Sequence, residues 1–401
     1  MAENSKIEWT DHTFNPWIGC TKVAPGCVNC YAEADFDKRR HVAQWGPNGT
    51  RIKTSSGNWA KPLKWNEDAK DWPDVCVQCR RRLNGTLQRA AKRGCESCGG
   101  IEFVASRPRV FCASLADVFE DWNGPVLNNN GQRMYVDSRD HSGVRLRAVG
   151  DLIGDEEVEG SMATRWATLD DVRRNLFALI DATPHLDWLL LTKRPENVRR
   201  MWEPWPLHST RKNVWLGTSI SDQATANKSI PELLKCRELS PVLFLSAEPL
   251  LGPIEFANEG LIEKCGDHPD MIGYMMGPDD GVSVLSKTAA EAFGKSGIGW
   301  VIVGGESGHE ARPCHLEHVW SVVVQCKQAG VPVLVKQLGG FCVAENINNF
   351  EFPEQIKDEP WGDFAASCRV MLKHTKGGDW DEWPEDLRVR QYPCAEKAVT
   401  Q

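Results

Sequence analysis

Cys20, Cys27 and Cys30 stand on one loop of eleven residues, Cys20-Thr21-Lys22-Val23-Ala24-Pro25-Gly26-Cys27-Val28-Asn29-Cys30. Three thiols are an odd set. A closed zinc site takes four protein ligands. A [4Fe–4S] cluster held by three cysteines leaves one iron open to a non-protein ligand. An open iron is useful when a substrate or cofactor must bind the metal.

A second set is complete by itself. Cys76-Val77-Gln78-Cys79 and Cys95-Glu96-Ser97-Cys98 are separated by fifteen residues. Each pair offers two thiolates from one tight turn, and two turns close a tetrahedron, so a structural Zn²⁺ is expected within an insertion spanning 66–108. Between the pairs lie Arg80, Arg81, Arg82, Arg89, Lys92 and Arg93, with no acidic residue from Arg80 to Gly94. Such a surface can meet nucleic-acid phosphates or simply be a solvated face.

Fifteen cysteines make complete pairing within one chain impossible. Metal or catalysis is the expected use of the two spaced sets. The other eight, Cys314 after the Gly304–Gly308 turn included, read as small core hydrophobes or surface thiols. The ten histidines show no ligand spacing. The chain has 401 residues, 41% hydrophobic and 25% charged, as in a globular protein of one large or two ordinary domains. Its net charge of −8 gives no global argument for nucleic acid, so any such argument must be local. Met1 to Asp11 is polar and acidic with no apolar secretory core. No apolar run reaches the ~18–20 residues that cross a bilayer. A cytoplasmic protein with no membrane partner is expected.

The elements that must position these cysteines follow from short apolar runs. Arg109–Ser114, Asp187–Arg194, Asn213–Ser219, Pro241–Glu248, Trp300–Ser307 and Pro332–Gln337 each hold an apolar core without alternation. That is the pattern of parallel strands buried on both faces. A seventh strand is expected near Phe14 to Ile18. Helical spacing covers Leu169 to Thr183, Pro195 to Trp202, and His315 to Ala329 before Gly330. The alternation predicts an α/β fold, a full or partial TIM-like β/α barrel, with a doubly wound sheet as the alternative. Strand ends carry Asp117, Thr192, Lys193, Arg194, Ser219, Asp222, Glu248, Glu306, Ser307, Lys336 and Gln337. In a β/α barrel those ends line the active site. Irregular stretches at 121–162 and 257–298 read as insertions over the rim of a single barrel domain spanning 1–401.

Ile7-Glu8-Trp9-Thr10-Asp11, Phe14-Asn15-Pro16-Trp17 and the cysteine run closely resemble the phage gene-product thirty-seven/sixty-eight family, a domain of unknown function. Leu191–Asn197, Trp215–Ser219, Ser246–Pro253, Val303–Gly308 and Trp383–Arg390 extend the resemblance over most of the chain outside the insertions. The family in turn looks like a branch of the radical S-adenosylmethionine (SAM) enzymes, with their barrel and three-cysteine [4Fe–4S] loop. The usual spacing there is three residues, then two. Here it is six, then two, and Asn29 stands where an aromatic is usual.

This resemblance implies a [4Fe–4S] cluster on Cys20, Cys27 and Cys30, with SAM chelating the fourth iron and cleaved to a 5′-deoxyadenosyl radical. Ser114, Asp117, Ser219 and Glu248 would contact SAM. Lys193, Arg194, Glu306 and Lys336 would face the substrate as catalytic residues. A phage-type protein with a basic zinc module suggests a nucleic acid or nucleotide substrate, modified or repaired, an electron donor, and residence in the host cytoplasm. Two alternatives remain. One is a nucleic-acid-binding protein with zinc or iron–sulfur modules and no SAM chemistry. The other is a zinc enzyme, although the His/Cys-x-Glu and Pro-Cys-x-x-Cys pairing of the base deaminases is missing.

Overall fold

The computed structural model describes residues 5–72, 75–76, 101, 103–104, 106–137, 145–148, 164–202, 211–256, 296–353, 357–360 and 368–393. Seven strands form the main parallel sheet: β1 (His12–Thr13), β2 (Arg109–Cys112), β3 (Asp187–Thr192), β4 (Val214–Ile220), β5 (Val242–Ala247), β6 (Ile298–Gly304) and β7 (Val333–Gln337). Their order across the sheet is their order in the chain. A doubly wound sheet reverses order at a switch point. This one does not, and the mixed α/β fold is consistent with a partial β/α barrel.

The expected strands fall on β2 to β7. β4 and β5 are buried at every position, which is why their sequences read as unbroken apolar runs. The first strand needs correction. It is His12–Thr13, with the Asp11 and Phe14 N–H groups donating to the Arg109 and Phe111 carbonyls. Pro16 has no N–H to extend that ladder. Trp17–Ile18 instead pairs with Arg51–Lys53 in a separate three-stranded sheet.

The described residues divide into two compact units. The first comprises Met1–Gly19, Asn48–Ala116 and Trp122–Leu190. It holds helix α1 (Ser56–Asp68), started by the Ser55 side chain accepting from Asn58 N–H, and α2 (Leu169–Asp181). The Asp171 carboxylate accepts the Thr168 N–H at the start of α2. Part of the stretch expected to be irregular, Met134–Asp137 and Arg145–Ala148, forms an antiparallel sheet with Thr164–Trp166 just beyond it. Its strands are three or four residues long, too short for a clear period. Val75–Cys76 pairs antiparallel with Phe103–Val104, so the chain leaves and returns side by side at the zinc-type insertion. Cys76 is buried; Cys79, Cys95 and Cys98 lie outside the described residues, as does most of 257–298.

The second unit comprises Cys20–Pro47, Asp117–Asp121 and Leu191–Gln401. Helix α3 (Gln223–Leu234) connects β4 to β5, and α4 (Leu316–Ala329) connects β6 to β7. Asp222, expected at the strand-end site, caps α3 by accepting from Thr225 N–H at 2.8 Å. α4 ends at left-handed Gly330, as expected. Pro195 to Trp202 shortens to a 3₁₀ turn, Pro195–Asn197, and one helical turn, Val198–Met201. A four-stranded sheet of Cys314–His315, Cys342–Ala344, Cys368–Met371 and Lys357–Pro360 completes this unit. No helix among the described residues is long and apolar enough to cross a membrane.

Candidate functional site

The cysteine loop lies across the carboxyl ends of β3 to β6. At its centre, Gly26 leaves no room for a side chain. A methyl group there would stand 2.6 Å from Ser221 Oγ, 3.3 Å from Pro249 Cδ and 3.7 Å from Lys193 Cε. Those three residues follow β4, β5 and β3 respectively. The glycine lets the loop backbone settle directly on the strand ends.

Two ionic clamps hold the loop. At its start, Arg194 is buried just beyond β3. Its Nη1 donates to Asp117 Oδ2 at 2.9 Å and lies 3.8 Å from Cys20 Sγ. Its Nη2 donates to the Thr21 carbonyl at 2.6 Å and to Glu120 Oε1 at 3.4 Å. Glu120 also accepts the Thr21 N–H at 2.9 Å. Asp117 is fully engaged, accepting from Thr192 Oγ1 and Lys193 N–H as well. Burial alone would depress the guanidinium; the Asp117 and Glu120 carboxylates outweigh it and hold its pKa above the ordinary value. Burial pushes the Cys20 thiol up to about 12, with Glu120 and Asp117 adding and Arg194 opposing. In this arrangement Cys20 is a neutral thiol beside a fixed cation.

At the far end of the loop, Asn29 Nδ2 donates to Glu306 Oε2 at 3.1 Å and to the Glu310 carbonyl at 2.7 Å. Arg312 grips the same carboxylate with Nε at 2.9 Å and Nη2 at 2.7 Å, while its Nη1 donates to the Pro25 carbonyl at 2.9 Å. Burial would raise the Glu306 pKa; the bonds from Arg312 and Asn29 outweigh it and hold the carboxyl below its ordinary range. Asn29 thus anchors the loop, and an aromatic at this position would have no amide to reach Glu306.

Between the clamps, Glu248 and Lys336 form an ion pair at 2.7 Å. They follow β5 and lie in β7, with β6 between them. The pair reaches across because β6 ends in glycine: a methyl group at Gly304 would stand 3.2 Å from Glu248 Oε1. Ser246 Oγ donates to Glu248 Oε2 at 3.2 Å, and Ser219 Oγ donates to the Glu248 carbonyl at 3.1 Å.

The structure therefore gathers Cys20, Asp117, Thr192 and Arg194 around one clamp, and Ser219, Glu248 and Lys336 around the ion pair. Glu306 forms the second clamp, and Lys193 packs beside Gly26. Gln337 Nε2 donates to the Gly305 carbonyl, and Ser307 is half-buried. Ser114 belongs to the first unit, where its Oγ accepts from Asn15 Nδ2 at 2.9 Å. Glu120 and Arg312 were not anticipated. Both lie in loops, and only their long-range partners mark them.

The donors fit an iron–sulfur cluster in kind and number: three half-buried cysteines on one loop, each a free thiol. They are not drawn together, since among the described residues no three His, Cys, Asp or Glu side chains are placed to hold a metal ion. The nearby Arg194 guanidinium is the type of N–H donor that stabilises a metal-bound thiolate.

A family model described as protein of unknown function (DUF5131) matches residues 4–127 and 164–384, and the chain belongs to that family. No curated protein and no solved structure matches.

Proposed function

We propose that the chain, as a member of that family, is a radical-SAM-like [4Fe–4S] enzyme acting on a nucleic acid or nucleotide. The observation that supports this most is the seating of the three-cysteine loop on the carboxyl ends of consecutive parallel strands, with Gly26 against Lys193, Ser221 and Pro249. Parallel β/α sheets carry their chemistry at that edge. Cys20, Cys27 and Cys30 hold the cluster in this reading. When bound, the cluster and SAM supply one-electron reductive cleavage and hydrogen abstraction, with electrons from an external donor.

The chain's own residues do the positioning. Arg194, braced by Asp117 and Glu120, fixes the first cysteine and places a positive charge beside its sulfur. Glu306 and Arg312 fix the loop on either side of Cys27, through Asn29 and Pro25. Glu248 and Lys336 keep an acidic and a basic group at the strand ends, suited to the amino and carboxylate groups of SAM. Lys193 is left to face the substrate. A structural zinc on Cys76, Cys79, Cys95 and Cys98 belongs to the same reading, as does residence in the cytoplasm, that of the host for a phage-encoded chain.

The direct test is anaerobic reconstitution with iron, sulfide, SAM and a strong reductant, followed by chromatography for 5′-deoxyadenosine. Its formation, and its loss in Cys27→Ala, supports the proposal; none from iron-loaded protein refutes SAM cleavage. One observation favours a second reading, a nucleic-acid-binding protein without SAM chemistry. Arg194 and Glu306, two expected substrate-facing groups, are spent on holding the loop. Oligonucleotide binding without deoxyadenosine would select it.

A further inference from the structure

The segment that follows the last loop cysteine carries features that the cluster chemistry does not use. Tyr31 is 58% exposed, and Val28 and Val23 on the loop are 56% and 46% exposed. From Tyr31 the chain runs as one helical turn, Tyr31–Glu33, continued by a wider turn, Ala34–Arg39. Tyr31 and Asp35 are four residues apart and share a face. Asp35 in turn pairs with Arg39 and, at 3.2 Å, with Arg40, which extends that face toward the guanidinium groups. Arg40 also lies over the Phe36 ring, 5.2 Å from its centroid.

Charge is unevenly distributed along this stripe. Glu33 is shared by Lys22 at 2.5 Å and Lys38 at 3.8 Å, and Asp35 is shared by the two arginines. Asp37 turns to the backbone, accepting the Trp45 N–H at 2.7 Å. Four cations, Lys22, Lys38, Arg39 and Arg40, therefore stand against three carboxylates, of which Asp37 is turned to the backbone, on a chain whose net charge is −8. An exposed aromatic beside a local excess of cations is what a single strand of nucleic acid requires. A base stacks on the ring, and the flanking phosphates meet the cations.

We propose that this stripe binds single-stranded nucleic acid, with one base stacked on Tyr31 and its neighbouring phosphates on Arg39 and Arg40, presenting that base next to Cys30. This rests on the reading of the cysteine loop as the reactive centre and specifies its substrate.

The test is fluorescence anisotropy of the iron-loaded full chain with a short labelled single strand and the matching duplex, over a salt series, with iron counted for each variant. The single strand is expected to bind more tightly than the duplex. Tyr31→Ala should weaken it about tenfold, and Tyr31→Phe should retain it. Arg39→Ala with Arg40→Ala should lower the salt slope by about one to two. Iron per chain should stay at the wild-type value in all of them. Unchanged binding in a folded Tyr31→Ala, no binding at low salt by iron-loaded protein, or self-association that Tyr31→Ala abolishes would each overturn the proposal. Absence of iron from the wild type would instead sink the cluster reading and leave the binding result standing.

Discussion

The Asn29 amide donates to the Glu306 carboxylate at 3.1 Å, joining the middle of the Cys27–Cys30 turn to a residue 277 positions away, just past β6. With Arg312 bidentate on the same carboxylate, this bond makes the loop part of the strand-end architecture. Removing one partner of a buried charged pair strands the other. Arg312→Ala should therefore destabilise the protein by about 1–3 kcal/mol, and Asn29→Ala by about 1 kcal/mol. Urea unfolding measures both; equal stabilities would show that the clamp does not hold the loop.

Gly26 tests the seating of the loop. A side chain there collides with Ser221 at 2.6 Å, within a contact formed by three strand ends. Gly26→Ala should cost about 1–3 kcal/mol through overpacking and reduce iron uptake on reconstitution. Ser221→Ala removes the hydroxyl that the new methyl meets, so adding it to Gly26→Ala should restore part of both. No recovery would place the damage elsewhere.

Arg194 bridges Asp117, Glu120 and the Thr21 carbonyl while lying beside Cys20. Arg194→Ala leaves two buried carboxylates without their cation and should cost about 3–5 kcal/mol. Arg194→Lys keeps the charge without the forked donors and should recover only part of it. If lysine restored full stability, the geometry of the fork would be irrelevant.

Asp187 opens β3 and is buried, accepting from Arg107 Nη1 at 3.4 Å. Burial raises its pKa from 3.8 to about 6, against the opposing pull of Arg107. The folded state thus holds this proton more tightly than the unfolded chain. Stability from that proton is complete below about pH 4 and lost as pH rises through about 6. Wild type should lose about 2–3 kcal/mol relative to Asp187→Asn across that window. Denaturant titrations at several pH values read the difference, and parallel curves would contradict the assignment.

Much of the scaffold was legible because buried parallel strands need unbroken apolar runs, and β3 to β7 supply them. Helices α2 and α4 were readable from their period, and α4 also from Gly330 at its end. The first strand was misplaced because its two residues, His12 and Thr13, carry no apolar signal. The sheet holding Cys314, Cys342 and Cys368 escaped notice for a similar reason: its strands span two to four residues. Its register sets Cys314 opposite Cys342. At the site, residue type was readable but direction was not. Arg194 and Glu306 looked like substrate contacts, and their hydrogen bonds turn them toward the loop. Glu120 and Arg312 gain meaning only from partners that no local spacing reveals.

Metal content tests most directly the proposal that the loop seated on β3 to β6 carries an iron–sulfur cluster. After anaerobic reconstitution, iron, acid-labile sulfide and zinc are counted per chain for wild type, Cys20→Ala and Cys76→Ala. About four irons and four sulfides in wild type are expected, lost in Cys20→Ala and kept in Cys76→Ala, with one zinc that Cys76→Ala removes. Wild-type protein with zinc alone, or an iron signal that disappears with Cys76, would contradict it.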